Sequence, residues 1–224
     1  MRKSQPNRKT QDDSATYFPV FLRLTGEPLL IVGGGQVALR KLEKLLVCKP
    51  KVTVVGREIH PQIKKLARSK SVILRERKFQ KRDVEGRRAV IVATDDANLQ
   101  KEIAALCRKR GILCNVVDVP ELCTFIAPAV VTRGGLQIAI STGGASPSFA
   151  GFVRRQIETL FDETYEPYLR LIGKLRSELQ EKQVGAEQIK NALTKLYASQ
   201  MFEILRSKGP EAAERYARKL LGSG

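Results

Sequence analysis

Two glycines and an alanine stand at a spacing that suits phosphate binding, in the pattern Gly33-x-Gly35-x-x-Ala38. The pattern follows a short apolar run typical of a buried strand (29–32) and opens a segment with apolar residues at helical spacing (37–46). At such a turn the first glycine permits the tight bend, the second lets the backbone approach a pyrophosphate, and a small third residue lets helix and strand pack closely. The pattern predicts a dinucleotide-binding loop. The alternative is a glycine-rich turn that binds no ligand.

The start of the following helix supplies the other half of a phosphate site. Its first N–H groups, near Gln36 and Val37, have no partner within a helix and would face the phosphate charge. An acidic residue about 20 residues further on usually binds the ribose hydroxyls. Here Glu58 comes slightly late, and Arg57 is able to pair with a 2′-phosphate instead. We expect NAD, although the spacing alone leaves NADP open, and an ordinary solvated pair is the alternative for Arg57 and Glu58.

A second candidate contact with the cofactor follows the apolar run at 89–93, which ends in Thr94, Asp95 and Asp96. Ligands of open α/β sheets bind at the carboxyl ends of the strands, so we expect Thr94 to contact the cofactor. Asp95 or Asp96 equally suits the N-cap of the next helix.

Asp118 follows the run at 113–117 and brings a carboxylate to the same edge of the predicted sheet. There it would face the nicotinamide end of the cofactor. A carboxylate in that place can take or give a proton beside hydride transfer, and it also suits a divalent metal. The alternative is an aspartate that only caps a loop, just as Asn115 suits a turn.

A second glycine-rich loop runs from Ser141 through Gly143, Gly144 and Ser146 to Pro147. Ser146 suits the N-cap of a helix, and Pro147 suits its first position. The backbone N–H groups of such a loop can hold a carboxylate or a phosphate, which makes it a candidate substrate site. The alternative is a simple capped turn.

The elements that must position these residues alternate between strand and helix. The strand-like runs lie at 29–32, 52–55, 72–74, 89–93 and 113–117. Strands that alternate with helices at this spacing indicate a parallel sheet of the Rossmann type. After Pro120 the pattern changes to two β-rich runs, at 125–131 and 136–140, which are joined by Arg133-Gly134-Gly135. Helices are then predicted at 148–161, 166–182, 186–206 and 210–221.

Positive charge is unevenly distributed along the chain, whose net charge is +17. The stretch 57–88 holds twelve lysines and arginines against four acidic residues, and Phe79 is its only aromatic residue. So few aromatic side chains argue against nucleic acid as the partner. A surface that attracts a polyanionic small molecule and a merely solvated basic face stay open.

The remaining composition places the chain in the cytoplasm. Residues 1–16 are polar, lack the apolar stretch of a signal peptide and are expected to be a disordered tail. No apolar run is long enough to span a bilayer, so we expect no membrane partner. The four cysteines form no C-x-x-C pair and His60 is the only histidine, so a zinc site is not expected and most of the thiols are interpreted as small buried hydrophobes.

Five motifs in this order resemble the precorrin-2 dehydrogenase and sirohydrochlorin ferrochelatase family, the module that also occurs in siroheme synthase. They are G-G-G-x-V-A-L-R-K at 33–41, A-T-D-D at 93–96, N-V-V-D-x-P at 115–120, C-x-F-I-x-P-A at 123–129 and I-S-T-G-G-x-S-P at 140–147. The resemblance covers residues from about 17 to about 158.

The resemblance implies NAD-dependent oxidation of precorrin-2 to sirohydrochlorin, on the siroheme or cobalamin route. In some members insertion of Fe²⁺ or Co²⁺ follows. By motif, Asp118 matches the essential aspartate of the family, proposed to act in proton transfer and chelation. Gln36 and Val37 match contacts of the loop with NAD, and Arg57 and Glu58 match contacts after the second strand.

The resemblance also implies a homodimer and a division of the chain. We expect a disordered tail at 1–16, an NAD-binding domain at 17–118, a dimerisation segment at 119–147 and a helical C-terminal domain at 148–224.

The polycarboxylate substrate accounts for the basic surface, which would raise the rate of encounter. Because the chain has no room for a methyltransferase domain, we expect precorrin-2 to come from a separate enzyme. A single histidine leaves chelation open. A regulatory module that senses a dinucleotide without catalysis is the alternative function.

Overall fold

The structure is a computed structural model that describes residues 17–222. The predicted disordered tail, 1–16, lies outside the described residues. The chain divides into two compact units between Ala127 and Pro128. The division into four segments proposed from the sequence stays a prediction. Each unit is described by itself.

The first unit is a five-stranded parallel sheet of the order β3-β2-β1-β4-β5. Its strands are β1 (Pro28–Val32), β2 (Lys51–Gly56), β3 (Ile73–Glu76), β4 (Ala89–Val92) and β5 (Leu113–Val116). Its helices are α1 (Gln36–Leu46), α2 (Pro61–Arg68) and α3 (Ala97–Lys109), with 3₁₀ turns at Lys81–Val84 and Pro120–Leu122. This arrangement confirms the predicted Rossmann-type fold.

The register of the sheet brings the functional ends of the strands together. Val32 pairs with Val55 of β2 on one side and with Val92 of β4 on the other. Val92 in turn pairs with Val116 of β5. The residues that follow these four strands therefore lie along one carboxyl edge.

Both faces of the sheet are covered by apolar side chains. Leu29, Ile31 and Val54 pack with α1 and α2 on one face, and Leu30 and Val90 belong to the core on the other. Each such side chain contributes about 1.5–3 kcal/mol when it is fully buried. This burial on both faces explains why the strand sequences are continuous apolar runs without alternation.

The crossover from β3 to β4 is built around a buried carboxylate, Asp83, in the first 3₁₀ turn. Arg77 donates to both of its oxygens at 2.7 and 2.8 Å, and Arg75 donates to Oδ1 at 2.6 Å. The hydrogen bonds from Arg77 make the largest contribution to holding the pKa of Asp83 well below its ordinary range. Part of the positive charge in 57–88 is therefore used inside the fold.

The second unit begins with an antiparallel hairpin, β6 (Ala129–Arg133) and β7 (Leu136–Ile140), and continues in helices. The helices are α4 (Pro147–Leu160), α5 (Tyr165–Glu181), α6 (Ala186–Tyr197) and α7 (Met201–Leu220), and α5 to α7 share a core. Gly209, with φ of 81°, kinks α7 where the sequence predicts an interruption. Between residues 17 and 222, no helix has the length and apolar character needed to cross a membrane.

Two predicted elements of the second unit differ from the structure. The helix predicted over 186–206 is two helices, because Ser199 leaves the helical pattern: its hydroxyl donates to the carbonyl of Leu196 and accepts from the N–H of Met201. The strand predicted over 125–131 begins only at Ala129, since Phe125 lies beside the first sheet.

Candidate functional site

The glycine loop after β1 contains three glycines with two different reasons for lacking a side chain. Gly33 has φ of 115°, and a Cβ there would lie 2.0 Å from the carbonyl oxygen of Ala93. A Cβ on Gly34 would lie 2.2 Å from the carbonyl oxygen of Glu58. A Cβ on Gly35 would meet nothing within 4 Å. The protein itself requires the first two glycines, whereas Gly35 leaves open space above the backbone, as close approach of a pyrophosphate needs.

No side chain caps the helix that follows the loop. Gly35 occupies the N-cap, no side chain bonds to the helix start, and the first turn holds no acidic residue. The N–H of Leu39 is the first to find a helical acceptor, the carbonyl oxygen of Gly35 at 3.0 Å. Within residues 17–222 the N–H groups of Gln36, Val37 and Ala38 have no acceptor. Together they form a concentration of positive partial charge that fits a phosphate group.

Ala38 has the packing role expected of the third residue in the motif. Its side chain is completely buried in the core between α1 and the sheet. A larger side chain there would push the helix start, and its free N–H groups, away from the strand end.

The loop after β2 is fixed against the glycine loop. A Cβ on Gly56 would lie 3.1 Å from the backbone nitrogen of Gly34, and the N–H of His60 donates to the carbonyl oxygen of Gly34 at 2.8 Å. Arg57 and Glu58 lie between these anchors with exposed side chains, and neither forms an ion pair with any residue that the structure describes. They therefore stand beside the phosphate loop with their charges available to a ligand.

His60 has a structural use that the sequence analysis missed. Its Nδ1 accepts the N–H of Gln62 at 3.1 Å and so caps α2. Pro61 at the first helical position is the sequence signal for this cap.

At the end of β4, Thr94 lies half-buried next to the glycine loop, because the N–H of Ala93 donates to the carbonyl oxygen of Val32 at 2.7 Å. Asp96 is the N-cap of α3 and accepts from the N–H groups of Asn98 and Leu99. The structure thus assigns the capping role to Asp96, and it leaves Asp95 exposed.

Asp118 is exposed at the end of β5 and has φ of 60°. It is the third residue of a turn closed by the N–H of Val119, which donates to the carbonyl oxygen of Val116 at 3.3 Å. On α1, burial makes the largest contribution to lowering the pKa of Lys41, and the negative charge of Asp118 opposes this change. The carboxylate therefore lies at the same edge as the glycine loop, within electrostatic reach of α1.

Asn115 and Cys123 are part of the same end of the sheet, and neither of them is predicted from the sequence to be a site residue. Asn115 is buried; its Nδ2 donates to the carbonyl oxygen of Phe125 at 3.1 Å, and its Oδ1 has no partner within the described chain. Cys123 bonds to the backbone on both sides of Asp118. The C-x-F motif at 123–125 was the available signal for this packing.

The second glycine-rich loop belongs to the second unit. Ser141 Oγ accepts from the N–H of Gly143, Thr142 Oγ1 accepts from the N–H of Ser146, and Ser146 Oγ accepts from the N–H of Phe149 as the N-cap of α4. Positive φ angles at Gly143 and Gly144 explain both glycines. The N–H groups of Gly143, Ala145 and Ser146 are used inside the loop, which is the geometry of a capped turn, and its role toward a substrate stays a prediction.

The described residues contain no group of three or more histidine, cysteine, aspartate or glutamate side chains arranged to hold a metal. A metal at Asp118 would therefore take most of its ligands from elsewhere.

Two family models match the chain. The family described as putative NAD(P)-binding matches residues 20–129, and the family described as sirohaem biosynthesis protein central matches residues 133–160.

Several curated relatives are siroheme synthases. The chain is 36% identical to the siroheme synthase of Thioalkalivibrio sulfidiphilus over 208 residues, which are 93% of this chain and 42% of that protein. It is 42% identical to that of Methylococcus capsulatus over 165 residues, which are 74% of this chain and 35% of that protein. The chain thus spans less than half the length of these relatives.

The solved structure of SirC, precorrin-2 dehydrogenase, has the same fold. The two superpose with a TM-score of 0.72 at 24% identity, over 91% of this chain and all of SirC. The fold predicted from the sequence is therefore found in a known protein.

Proposed function

The chain belongs to the siroheme synthase family, and we propose that it oxidises precorrin-2 to sirohydrochlorin with NAD⁺ as the hydride acceptor. The observation that carries the proposal is the common edge where the open glycine loop and Asp118 both lie. The names of the relatives and of SirC supply the substrate class. These matches are to biosynthetic proteins, which gives no support to the regulatory alternative.

The residues present fit a dinucleotide. The open space over Gly35 and the free N–H groups of Gln36, Val37 and Ala38 would hold the pyrophosphate. A dinucleotide held there would supply a nicotinamide as the hydride acceptor for the reduced macrocycle. Thr94 would contact the cofactor from the end of β4, where it borders the loop.

We assign NAD rather than NADP on the strength of Glu58. Its carboxylate is exposed after β2 without an ion pair, so it is available to accept hydrogen bonds from the ribose hydroxyls. Arg57 is the neighbouring group that would favour a 2′-phosphate, and the negative charge beside it opposes that binding.

Asp118 is the group that we assign to proton transfer. Loss of hydride from the macrocycle is accompanied by loss of a proton, and an exposed carboxylate at the nicotinamide end of the edge can accept it directly or through water.

Insertion of Fe²⁺ or Co²⁺ is a second step that the same residue can serve. The macrocycle supplies the nitrogen ligands of the metal, so the protein needs only to receive the displaced protons and offer one carboxylate. Asp118 would take this role without a built metal centre, since the described residues contain no group of three or more side chains arranged to hold a metal.

The remaining proposals concern assembly and the substrate. We place a homodimer contact in the segment 119–147 together with the start of α4, because Val130, Phe149 and Phe152 expose apolar side chains. Ser141, Gly143, Gly144 and Ser146 are assigned to the carboxylates of the substrate. The four cysteines in the described chain are free thiols, which is consistent with the cytoplasm as the location.

A coupled assay tests the proposal. Purified protein with precorrin-2 and NAD⁺ is expected to produce NADH absorbance together with sirohydrochlorin. If neither NAD⁺ nor NADP⁺ supports turnover, the proposed reaction is wrong. Adding Fe²⁺ or Co²⁺ afterwards measures the second step separately.

A further inference from the structure

We propose that Cys123 is a positioning residue for Asp118, because its thiol bonds to both ends of the turn that carries this aspartate. The inference rests on the proposed function, in which Asp118 transfers the proton. It adds a role for a residue outside the predicted catalytic and binding set.

β5 is the last strand of the sheet, so no further strand lies along its outer edge. Its outward N–H and C=O groups have no strand partner and need other hydrogen bonds. Thr124 serves Cys114, since Thr124 Oγ1 accepts the N–H of Cys114 and the N–H of Thr124 donates to its carbonyl oxygen, each at 2.8 Å. Two residues further along, the N–H of Val116 has no backbone acceptor within the described chain, and a side chain must supply one.

The thiol of Cys123 fills that place. Cys123 Sγ accepts the N–H of Val116 at 3.2 Å and lies 3.2 Å from the carbonyl oxygen of the same residue. The amide of Asn115 also approaches the sulfur, at 3.6 Å. The sulfur thus ends the hydrogen-bond pattern of β5 directly before the turn.

The same thiol also contacts the last residue of the turn that carries Asp118. The thiol lies 3.4 Å from the carbonyl oxygen of Val119, so its single proton can be donated to either Val116 or Val119. These two residues are the first and last of the turn. Between them Asp118 has φ of 60°, a conformation that costs a non-glycine residue about 1 kcal/mol or more and persists only where the surroundings impose it. Besides the backbone hydrogen bond between the two ends of the turn, the thiol is the side chain that bonds to both of them, and we assign to it the support of this conformation.

The state of the thiol agrees with this role. Burial makes the largest contribution to raising the pKa of Cys123, so the group keeps its proton near neutral pH. A protonated sulfur can donate to one carbonyl while it accepts from the backbone, whereas a thiolate could only accept.

The test compares Cys123→Ala, Cys123→Ser and a control in which an exposed cysteine without side-chain bonds is removed, Cys48→Ala. Cys123→Ala is expected to lower kcat for precorrin-2 oxidation about ten- to hundredfold, the size of effect known for small misplacements of a catalytic group. The Kd for NAD⁺ should change less than twofold, because the glycine loop is untouched. Cys123→Ser should restore part of kcat, since a hydroxyl keeps both hydrogen-bonding functions. The Cys48 variant should behave as wild type.

Two outcomes overturn the proposal: a Cys123→Ala enzyme with wild-type kcat, or a Cys123→Ser enzyme no better than Cys123→Ala. If the alanine variant does not fold, Cys123→Val, which fills the space of the thiol but forms no hydrogen bond, replaces it. Its kcat should fall while the Kd for NAD⁺ is little changed, and an unchanged kcat would contradict the role.

A second measurement needs no activity, so it separates this inference from the proposed function. Asp118→Gly removes the cost of the positive φ, so it should raise the denaturant midpoint of the wild-type chain. In the Cys123→Ala background the turn has already relaxed, and the gain should be smaller. Equal gains in both backgrounds would show that the thiol does not hold the turn. If wild-type protein oxidises no precorrin-2, the proposed function fails while this comparison still decides the positioning.

Discussion

The carbonyl oxygen of Glu58 lies so close to the Cα atom of Gly34 that a Cβ there would be 2.2 Å from it. This contact joins the loop that carries the ribose-binding candidates to the loop that carries the phosphate site. A neighbouring hydrogen bond, from the N–H of His60 to the carbonyl oxygen of Gly34 at 2.8 Å, fixes the same junction. The two halves of the proposed dinucleotide site are therefore joined by direct backbone contacts, and adjacent glycines in it serve different purposes.

Gly35→Ala is expected to keep the fold and lose the cofactor. The added methyl group enters open space, so the midpoint of thermal unfolding should stay within a few degrees of wild type. The same methyl group stands where the pyrophosphate must approach, so the Kd for NAD⁺, measured by calorimetry, should rise at least about tenfold, or about 1.4 kcal/mol.

Gly34→Ala is the matched contrast, because its methyl group meets backbone atoms that cannot rotate away. This variant should lose stability as well as binding. If Gly35→Ala binds NAD⁺ normally, the space over Gly35 is not where the phosphates lie.

The sequence was sufficient to place the strand ends of the first unit to within two residues, because each apolar run stops at a glycine or polar residue. It was insufficient where a side chain replaces a backbone partner. Asp83 is buried because Arg75 and Arg77 neutralise it, and a pairing across a crossover has no sequence period. Cys123 resembles a small buried hydrophobe until β5 is known to be an edge strand. The break after α6 depends on the local bonds of Ser199, which helical periodicity does not reveal.

Glu58→Gln tests the choice between NAD and NADP. Removing the charge weakens hydrogen bonds from the ribose hydroxyls and removes the repulsion of a 2′-phosphate beside Arg57. Hydrogen bonds to charged groups contribute about 1.5–3 kcal/mol, so the ratio of kcat/KM for NAD⁺ over NADP⁺ should fall at least about tenfold.

The control is Glu43→Gln, which neutralises another exposed glutamate, on α1. It should leave the cofactor ratio unchanged. A ratio that stays at the wild-type value in Glu58→Gln would remove Glu58 from the ribose site.

Asp83 makes the stability of the first unit depend on pH. Its pKa in the folded chain lies below the ordinary value of about 3.9, so its contribution is complete above that pH and is lost as the pH falls through the folded value. Asp83→Asn should lower the free energy of unfolding at pH 7 by about 2 kcal/mol or more, because the hydrogen bonds to Arg75 and Arg77 lose their charge.

Urea unfolding at pH 7 and at pH 3 measures this effect. The difference in stability between wild type and Asp83→Asn should shrink at the lower pH. A difference that is the same at both values would mean that the carboxylate is not the titrating group. Glu85→Gln, an exposed glutamate near the same turn, is the control for a general change in charge.

Asp118→Ala should separate cofactor binding from chemistry. The residue lies in the turn after β5, at the far end of the edge from the Arg57 loop, and the glycine loop makes no hydrogen bond to it, so the Kd for NAD⁺ should stay within about twofold. Loss of a group that transfers a proton typically costs 10²–10⁴-fold, and we expect a fall of about that size in the rate of sirohydrochlorin formation. Insertion of Fe²⁺ or Co²⁺ into supplied sirohydrochlorin should fall as well, because the displaced protons lose their acceptor.

Glu121→Ala, which removes an exposed carboxylate three residues away, provides the comparison. An Asp118→Ala enzyme that inserts metal at the wild-type rate would exclude this aspartate from the chelation step, while its oxidation rate would still decide the role in proton transfer.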